Sequence, residues 1–305
     1  MTYDLIIIGA GPAGVSAAIY ASRQQLNMLI ISKDIGGQVA KKAVDIENYP
    51  GFNKISGPDL VDLYNQQLKS NNLKVIQDEV LSIKKNNNFS VATKSGKTYQ
   101  SVSVIVSSGA VSKTINVPGE EEFAGKGVSY CSLCDGPVFG NKTVAVVGGG
   151  NNGFESALFL SNYVKKVYIL EFSSEVKADK ENQNLISKHK NVEVINNAKI
   201  SRIEGKTFVD SIIYEDSTTN KEKTLQVDGV FVEIGYTPST SFVKDLVDLN
   251  EKDEIIFDQK SLETKTPGLF SAGDCNVSKY KQIIMASGEG AKAALSAYEY
   301  IKKNK

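Results

Sequence analysis

Two cysteines with two residues between them, Cys131 and Cys134, are the side chains of this sequence best suited to carry out chemistry. At this spacing, one turn of backbone lets the two sulfur atoms join and part without large movement of the chain. In a Cys-X-X-Cys pair the more exposed thiol usually has a lowered pKa, and the thiolate is the form that attacks disulfides. The pair therefore predicts a redox-active dithiol.

Three other interpretations of the pair are open. A zinc site would need two further ligands, and the sequence offers only Cys275 and His189, which lie far apart and outside any metal-type doublet. A permanent structural disulfide is typical of small secreted chains without a sizeable core, which does not describe this chain. Two inert, buried cysteines are the ordinary alternative, and the glycine-rich turn that begins at Gly148 disfavours it.

A glycine fingerprint follows the first apolar run of the chain. Residues 3–8 predict a buried parallel strand, which ends in Gly-Ala-Gly-Pro-Ala-Gly at residues 9–14, ahead of a helical segment. In this setting Gly9 permits the tight turn, Gly11 lets the backbone approach a pyrophosphate at the helix N-terminus, and Gly14 lets helix meet strand. The pattern predicts a dinucleotide site, with a plain turn as the alternative.

The same arrangement recurs later in the chain. Residues 143–147 predict a second buried strand, followed by Gly-Gly-Gly-Asn-Asn-Gly at residues 148–153 and by a helix from Phe154 to about Tyr163. One such fingerprint is a weak signal, but two with correct flanks and a dithiol just ahead of the second are a strong one. We therefore predict two dinucleotide-binding units.

The two units differ where a ribose-binding acid is expected. In the first, the strand after the fingerprint ends in Ser32, and Asp34 comes too late. In the second, residues 166–170 predict a strand that ends at Glu171, and residues 172–179 contain no arginine. A carboxylate here would accept ribose hydroxyls and repel a 2′-phosphate, so we predict NADH in preference to NADPH. The alternative is a solvated strand end.

Composition describes an ordinary globular chain. Its 305 residues are 41% hydrophobic and 23% charged, which is enough for two domains with real cores, and 35 basic residues balance 35 acidic ones. This balance gives no support to binding of nucleic acid or of an anionic membrane. Because no apolar run reaches the ~18 residues of a membrane helix and Met1 leads directly into a strand, we expect a cytoplasmic protein.

The last part of the chain contains a third candidate binding segment. A short strand leads into Gly273-Asp274, and residues 283–302 have helical spacing with an alanine-rich face. The carboxylate of Asp274, beside the N-terminus of that helix, is placed to bind a ribityl hydroxyl, and the helix N-terminus suits an anion. The neighbouring Cys275 is interpreted as a small packed residue rather than a third redox thiol.

These motifs, taken in order, have a known counterpart. They are Gly-Ala-Gly-Pro-Ala-Gly at 9–14, Gly36-Gly37-Gln38, Glu47-Asn48-Tyr49-Pro50-Gly51, Cys-X-X-Cys-Asp-Gly at 131–136, and Gly273-Asp274 followed by Gln282. In this combination the sequence resembles the low-molecular-weight thioredoxin reductase family over essentially its whole length. It is closer still to the reductase portion of the alkyl hydroperoxide reductase flavoprotein at Cys134-Asp135-Gly136-Pro137, Leu170-Glu171-Phe172, Lys177-Ala178-Asp179 and Tyr280-Lys281-Gln282-Ile283-Ile284.

The resemblance implies an α/β fold of two Rossmann-like three-layer domains, the second inserted in the first. Residues 1–115 with 238–305 would bind FAD, and residues 116–237 would bind the nicotinamide dinucleotide and carry the dithiol. The implied FAD-binding residues are Gly9, Gly11, Pro12, Ala13, Gly14, Ser32, Gly37, Gln38, Asn48, Val80, Gly109, Gly273, Asp274, Lys281, Gln282 and Ile283. The implied nicotinamide-dinucleotide residues are Gly148, Gly150, Asn151, Asn152, Gly153 and Glu171.

The resemblance also implies a reaction. Hydride would pass from the nicotinamide to the flavin, and the electron pair would pass on to the disulfide of Cys131 and Cys134. Cys134 would lie against the flavin and Cys131 would attack the disulfide of a partner, while Asp135 would donate or accept the proton. A turn-forming carboxylate is the alternative for Asp135. Rotation of one domain against the other would let the dithiol meet both flavin and partner.

Two departures from the family pattern shape the expected partners. Reductases that use NADPH carry a His-Arg-Arg run where this chain has Glu171-Phe172-Ser173, and the alkyl hydroperoxide reductase flavoprotein carries an additional N-terminal dithiol domain. We therefore expect the partner domain to be a separate protein, either thioredoxin or a glutaredoxin-like carrier, and a homodimer. Alternatives are a reductase fed by ferredoxin or another donor, a dithiol oxidase that uses oxygen, and a non-catalytic flavin-binding protein.

Overall fold

The computed structural model describes residues 2–42 and 46–304. The chain separates into two compact units, which are unit 1 (Met1–Val111 with Thr237–Lys305) and unit 2 (Ser112–Tyr236). Short strands, β7 (Ala110–Ser112) and β16 (Tyr236–Pro238), lie where the chain crosses between them. None of the helices in the described ranges combines the length and the apolar character that crossing a membrane requires.

Unit 1 is built on a seven-stranded sheet. Its strands are β1 (Thr2–Ala10), β2 (Met28–Ile35), β3 (Val75–Gln77), β4 (Val80–Lys85), β5 (Phe89–Thr93), β6 (Thr98–Val106) and β17 (Leu269–Ser271), in the order β3-β2-β1-β6-β5-β4 with β17 paired to β6. Its helices are α1 (Pro12–Arg23), α2 (Gln38–Lys42), α3 (Gly57–Ser70) and α7 (Ile283–Asn304). β1 pairs in parallel with both β2 and β6, so it is the central strand that delivers the first glycine fingerprint.

The continuous apolar run of β1 is explained by burial on both faces of the sheet. Leu5 and Ile7 pack into the core that contains the alanine face of α1 and of α7, whereas Ile6 and Ile8 pack into the core on the opposite face. Successive side chains of a strand point to opposite faces, so a strand covered on both sides needs apolar residues throughout. This packing fixes where the strand ends and the glycine turn begins.

Unit 2 repeats the arrangement in a parallel sheet and adds a three-stranded antiparallel one. Its strands are β8 (Val128–Ser129), β9 (Thr143–Val147), β10 (Lys166–Leu170), β11 (Val192–Ile195), β12 (Ala198–Gly205), β13 (Val209–Asp216), β14 (Lys221–Gln226) and β15 (Gly229–Val232). The parallel sheet has the order β11-β10-β9-β15-β8 and the antiparallel sheet the order β12-β13-β14. The helices are α4 (Ser132–Asp135), α5 (Asn151–Leu160) and α6 (Lys180–Ile186). The side chains of β9 alternate between a core shared with the antiparallel sheet and a core shared with α5.

The predicted fold class is confirmed, because each unit has a glycine fingerprint between a central parallel strand and a helix, and unit 2 is inserted between the two segments of unit 1. The helices begin earlier than predicted, α1 at Pro12 and α5 at Asn151. The last residues of each fingerprint form the first helical turn, and proline is favoured at that position because it needs no hydrogen-bonded N–H. The segment 199–226, predicted as a hairpin region, forms β12, β13 and β14.

Candidate functional site

The dithiol lies in a tight segment at the start of α4. Cys131 caps this short helix, its sulfur accepts a hydrogen bond from the backbone N–H of Cys134 at 3.2 Å, and the two sulfurs are joined in a disulfide with Cα atoms 5.3 Å apart. Cys134 is exposed and Cys131 is half-buried. The chain therefore holds the two sulfurs at bonding distance with at least one of them open to attack.

A hydroxyl connects the disulfide segment to Asp135. Ser129, the last residue of β8, donates its hydroxyl to Oδ2 of Asp135 at 2.5 Å and accepts the backbone N–H of Cys131 at 3.1 Å. The carboxylate predicted from the sequence is thus tied to the first cysteine through one side chain. Sequence reasoning did not identify Ser129, whose only signal is its place at the end of the strand that leads into the dithiol.

A second chain of hydrogen bonds reaches the residue between the two cysteines. The buried hydroxyl of Ser132 donates to that of Ser156 on α5 at 2.8 Å, and Ser156 donates to Oε1 of Glu233 at 2.8 Å. The Glu233 carboxyl also accepts the backbone N–H of Ser132, and burial raises the pKa of this carboxyl to about 7. Glu233 was missed as well, although an acid directly after the apolar strand β15 is itself a signal.

The second glycine fingerprint has the geometry of a phosphate-binding turn. Gly148 has a φ of +124°, and a Cβ on Gly153 would stand 1.9 Å from the carbonyl oxygen of Gly148, so both positions require glycine. A Cβ on Gly150 would meet nothing within 4 Å, and no side chain caps α5 at this residue. By contrast, α6 is capped by Asp179, so open N–H groups at α5 are a property of this turn.

Glu171 binds the fingerprint backbone directly. Its Oε2 accepts the N–H of Gly149 at 2.7 Å and its Oε1 accepts the N–H of Ser173 at 2.8 Å, and the side chain is buried. The carbonyl oxygen of Gly149 in turn accepts the N–H of Lys177 at 2.8 Å. The loop after β10 is therefore fastened to the turn, with Phe172 left 66% exposed at its start.

The first fingerprint, in unit 1, repeats these distances. A Cβ on Gly14 would lie 1.8 Å from the carbonyl oxygen of Gly9, whereas a Cβ on Gly11 would meet nothing within 4 Å. Gly37 and Gly273 stand beside this turn, since Cβ atoms there would lie 3.8 Å from the Cα of Gly11 and 3.1 Å from the Cβ of Ala13. Three segments predicted to bind one cofactor thus meet at the N-terminus of α1, which also has no side-chain cap.

Ser32 occupies the place in unit 1 that Glu171 occupies in unit 2. Its hydroxyl accepts the N–H of Ala10 at 3.0 Å and donates to the carbonyl of Asp34 at 2.6 Å. The hydroxyl therefore performs the same task, holding the fingerprint to the end of the second strand, without placing a charge there.

The C-terminal segment adds charged groups to this site. Burial raises the pKa of Asp274 to about 6, with the nearby Lys281 opposing this and Glu289 reinforcing it. Among the described residues no hydrogen bond satisfies the Asp274 carboxyl, so it is available to a ligand hydroxyl. Lys281 forms an ion pair with Glu254 at 3.0 Å, which holds its ammonium group in place.

Glu289 fixes the turn that carries Asp274. This carboxylate on α7 accepts the N–H of Gly273 at 2.7 Å, the amide of Asn276 at 2.8 Å and the hydroxyl of Ser278 at 2.5 Å. It was not identified from the sequence, although its position between two glycines in an alanine-rich helix is unusual. The turn is therefore held by α7 independently of any ligand.

The other predicted residues lie in unit 1 at several places. Gln38 donates its amide to the carbonyl oxygen of Ala110, and the Asn48 amide donates to Gln282 at 3.2 Å. Val80 begins β4, where it packs against the core opposite α1. Gly109 precedes β7 with a φ of +69°, and Ile283 is the first residue of α7.

Both glycine turns fit the pyrophosphate of a dinucleotide. Each combines a glycine beside open space with a helix N-terminus that no side chain caps, the arrangement that attracts phosphate oxygens. Zinc is not supported, because no group of potential ligands that could hold a metal ion occurs among the described residues. The buried Cys275 lies within the unit 1 core, as predicted.

Comparison with known proteins agrees with this geometry. A family model described as pyridine nucleotide-disulphide oxidoreductase matches residues 3–290. The chain is 41% identical over 303 residues to the NADH dehydrogenase of Bacillus subtilis strain 168, covering 99% of this chain and 59% of that protein. It is 41% identical over 304 residues to the F component of the alkyl hydroperoxide reductase of Staphylococcus aureus strain MRSA252, covering 99% of this chain and 60% of that protein.

The chain thus spans about 60% of the length of these curated relatives. A solved structure of similar length is the thioredoxin reductase of Streptococcus pyogenes MGAS5005, with 34% identity, 99% of both chains covered and a TM-score of 0.94. The chain belongs to the pyridine nucleotide-disulphide oxidoreductase family, and within it to the low-molecular-weight thioredoxin reductases.

Proposed function

We propose that the protein is a flavin-dependent disulfide reductase that passes electrons from NADH, through FAD and the pair Cys131 and Cys134, to a thioredoxin-like protein disulfide. The observation that carries this proposal is the disulfide between these cysteines, exposed at Cys134 and located in the same unit as an uncapped glycine turn. A thiol pair that joins in this way can store two electrons and release them to a second disulfide.

Membership of the family implies FAD and a nicotinamide dinucleotide as cofactors. We assign FAD to the turn at Gly9–Gly14, completed by Gly37 and by Asp274, and the nicotinamide dinucleotide to the turn at 148–153. When bound, the two cofactors would supply hydride and two-electron transfer. The residues of the chain have to hold the dinucleotides and to move protons at sulfur.

Asp135 is the residue best placed to move such a proton. When the disulfide is reduced, two thiols or a thiol and a thiolate result, and at least one proton must reach sulfur. The carboxylate of Asp135 is connected through Ser129 to the backbone of Cys131, so its position relative to the sulfurs is fixed. Cys131 is assigned as the thiol that attacks the partner and Cys134 as the flavin-facing thiol.

Preference for NADH is supported by the charge at the second turn. The carboxylate of Glu171 is held at Gly149 by a backbone N–H, where a ribose 2′-hydroxyl can donate to it and a 2′-phosphate would be repelled. Residues 172–179 contain no arginine that could offset this repulsion. NADPH is therefore the poorer donor.

The disulfide partner is assigned as thioredoxin or a glutaredoxin-like carrier, met as a separate protein. The protein is further proposed to act as a homodimer in the cytoplasm, where a reducing environment suits a cycling dithiol. Light scattering of the purified holoprotein tests the dimer, and a panel of oxidised carriers tests the partner.

Anaerobic mixing with each nicotinamide tests the electron path. NADH should reduce the flavin at least about tenfold faster than NADPH, the effect of a single unfavourable charge contact. Alkylation should then detect two new thiols for each reduced flavin. Cys131→Ser should abolish turnover of a disulfide dye without slowing flavin reduction, whereas Cys275→Ser, in the core, should leave turnover intact. A disulfide that survives full reduction of the flavin would refute the proposal.

A further inference from the structure

Glu233 joins the dithiol segment to the second glycine turn. It directly follows β15, and a Cβ on Gly148 would lie 2.7 Å from its carbonyl oxygen. Its side chain extends in the other direction, to Ser156 on α5 and to the backbone N–H of Ser132 between the two cysteines. The backbone of one residue thus touches the nucleotide turn while its carboxyl touches the redox segment.

The hydrogen bonds of this carboxyl leave it without a cation. Its pKa is raised to about 7 by burial, and the hydroxyl of Ser156 and the N–H of Ser132 counter that shift only in part. Both serines are buried, Ser132 at 5% exposure and Ser156 at 7%. A buried carboxyl held only by neutral donors changes its charge with pH inside a fixed arrangement.

The ionisable groups on the surrounding elements do not replace it. On α4, Asp135 accepts the hydroxyl of Ser129, and on α5, Glu155 is exposed. At the end of β10, both oxygens of Glu171 bind backbone N–H groups. The paired strand β9 has no ionisable side chain. The charge next to Ser132 is therefore set by Glu233.

We propose that Glu233 is a positioning residue for the dithiol, which holds Ser132 in place and, by its own charge, sets how readily the adjacent thiols ionise. This inference rests on the proposed function. When the carboxyl is ionised, it occupies the N–H next to Cys131 and places a negative charge beside the segment, both of which disfavour a thiolate. When it is protonated, the thiolate forms more easily, and attack on a disulfide accelerates.

The rate at which iodoacetamide alkylates each thiol, followed from pH 5 to 9, tests this inference. The holoprotein is reduced with dithiothreitol, and modification of Cys131 and Cys134 is quantified by mass spectrometry. Glu233→Gln keeps an acceptor for the Ser132 N–H but removes the charge, so the apparent thiol pKa should fall by about one unit and alkylation at pH 6 should rise about tenfold. A purely structural role would leave the profile of this variant unchanged, and coinciding profiles would overturn the inference.

A second variant acts in the opposite direction. Ser156→Ala keeps the carboxylate but removes one donor to it, so the inflection that Glu233 contributes should move to higher pH. An unmoved inflection would also contradict the proposal. Alkylation requires neither a nicotinamide nor a partner protein, so failure of the proposed electron path would be seen separately, as absence of flavin reduction by NADH.

Discussion

The two glycine turns are nearly the same in backbone and differ in charge. In unit 1 the residue after the second strand is Ser32 and the residue after the third is Ser107, whose hydroxyl donates to the carbonyl oxygen of Ile8 at 2.9 Å. In unit 2 the equivalent positions carry Glu171 and Glu233. The hydroxyls of unit 1 satisfy only their own turn, whereas the carboxylates of unit 2 extend to a loop and to the dithiol segment.

This difference indicates how one fold acquires two roles. The strand register is the same, since Ile8 pairs with Val106 and Val147 pairs with Val232, each one residue before the position that differs. Backbone geometry therefore supplies the phosphate-binding turn in both units. The side chains at two strand ends then decide whether the turn is only a cradle or is connected to chemistry nearby.

Substitution of the last glycine of each turn should have the largest effect. In Gly14→Ala and Gly153→Ala the new Cβ would lie 1.8 and 1.9 Å from a carbonyl oxygen, so helix and strand must separate, at a cost of about 3 kcal/mol or more. We expect Gly14→Ala to lose flavin, and Gly153→Ala to keep flavin but lose reduction by NADH. Flavin content and thermal melting measure both outcomes.

Gly11→Ala and Gly150→Ala are the matched controls for these variants. Their Cβ atoms would meet nothing within 4 Å, so both proteins should melt like the parent and lose only dinucleotide affinity. If Gly153→Ala melted as the parent does while Gly150→Ala did not, the equivalence of the two turns would be wrong.

Sequence patterns predicted the strands well because burial on both faces demands unbroken apolar runs. The strands predicted at 143–147, 166–170 and 192–195 coincide with β9, β10 and β11. Helix starts were placed three residues late because the fingerprint residues were assigned to the turn alone. The short helix α2 was missed, since five residues are too few to show a helical period.

The supporting residues of the site could not be predicted in the same way. Ser129, Glu233 and Glu289 act on residues that are 6, 77 and 16 positions away along the chain in their hydrogen-bonded pairs. No local spacing marks such contacts, because they depend on which strand ends and helices the topology brings together. Motifs with a fixed internal spacing, such as the dithiol, do not have this limitation.

The pH dependence of stability should separate Glu233 from Ser107. The pKa of Glu233 is about 7 against an ordinary value of 4.5, so the folded state binds more protons than the unfolded state between these values, and stability falls as pH rises through this range. The expected loss is up to about 3 kcal/mol. Glu233→Gln should remove it, which makes the variant the more stable protein at pH 8 in urea melts. Ser107→Ala, the control, should lower stability equally at pH 5 and pH 8.

Removal of the Glu171 carboxylate should have a smaller effect. Glu171→Ala leaves the buried N–H of Gly149 and that of Ser173 without their acceptor, which costs about 2 kcal/mol. The ratio of KM for NADPH to KM for NADH should also fall, because the repulsion of the 2′-phosphate disappears. Steady-state kinetics with both donors measures this ratio, with Glu175→Ala in the same loop as the control. An unchanged ratio would exclude Glu171 as the determinant of donor choice.

Ser32→Ala is expected to have the smallest effect, and it tests whether the hydroxyl of unit 1 is only a clasp. The substitution removes one acceptor from the Ala10 N–H and one donor from the Asp34 carbonyl, at a cost of about 1 kcal/mol. Because no charge is lost, the change in stability should be independent of pH and flavin affinity should decrease only slightly. Fluorescence titration of the apoprotein with FAD measures this affinity. A loss of flavin as large as that in Gly14→Ala would mean that Ser32 binds the cofactor itself, and the neutral position would then carry as much recognition as the charged one.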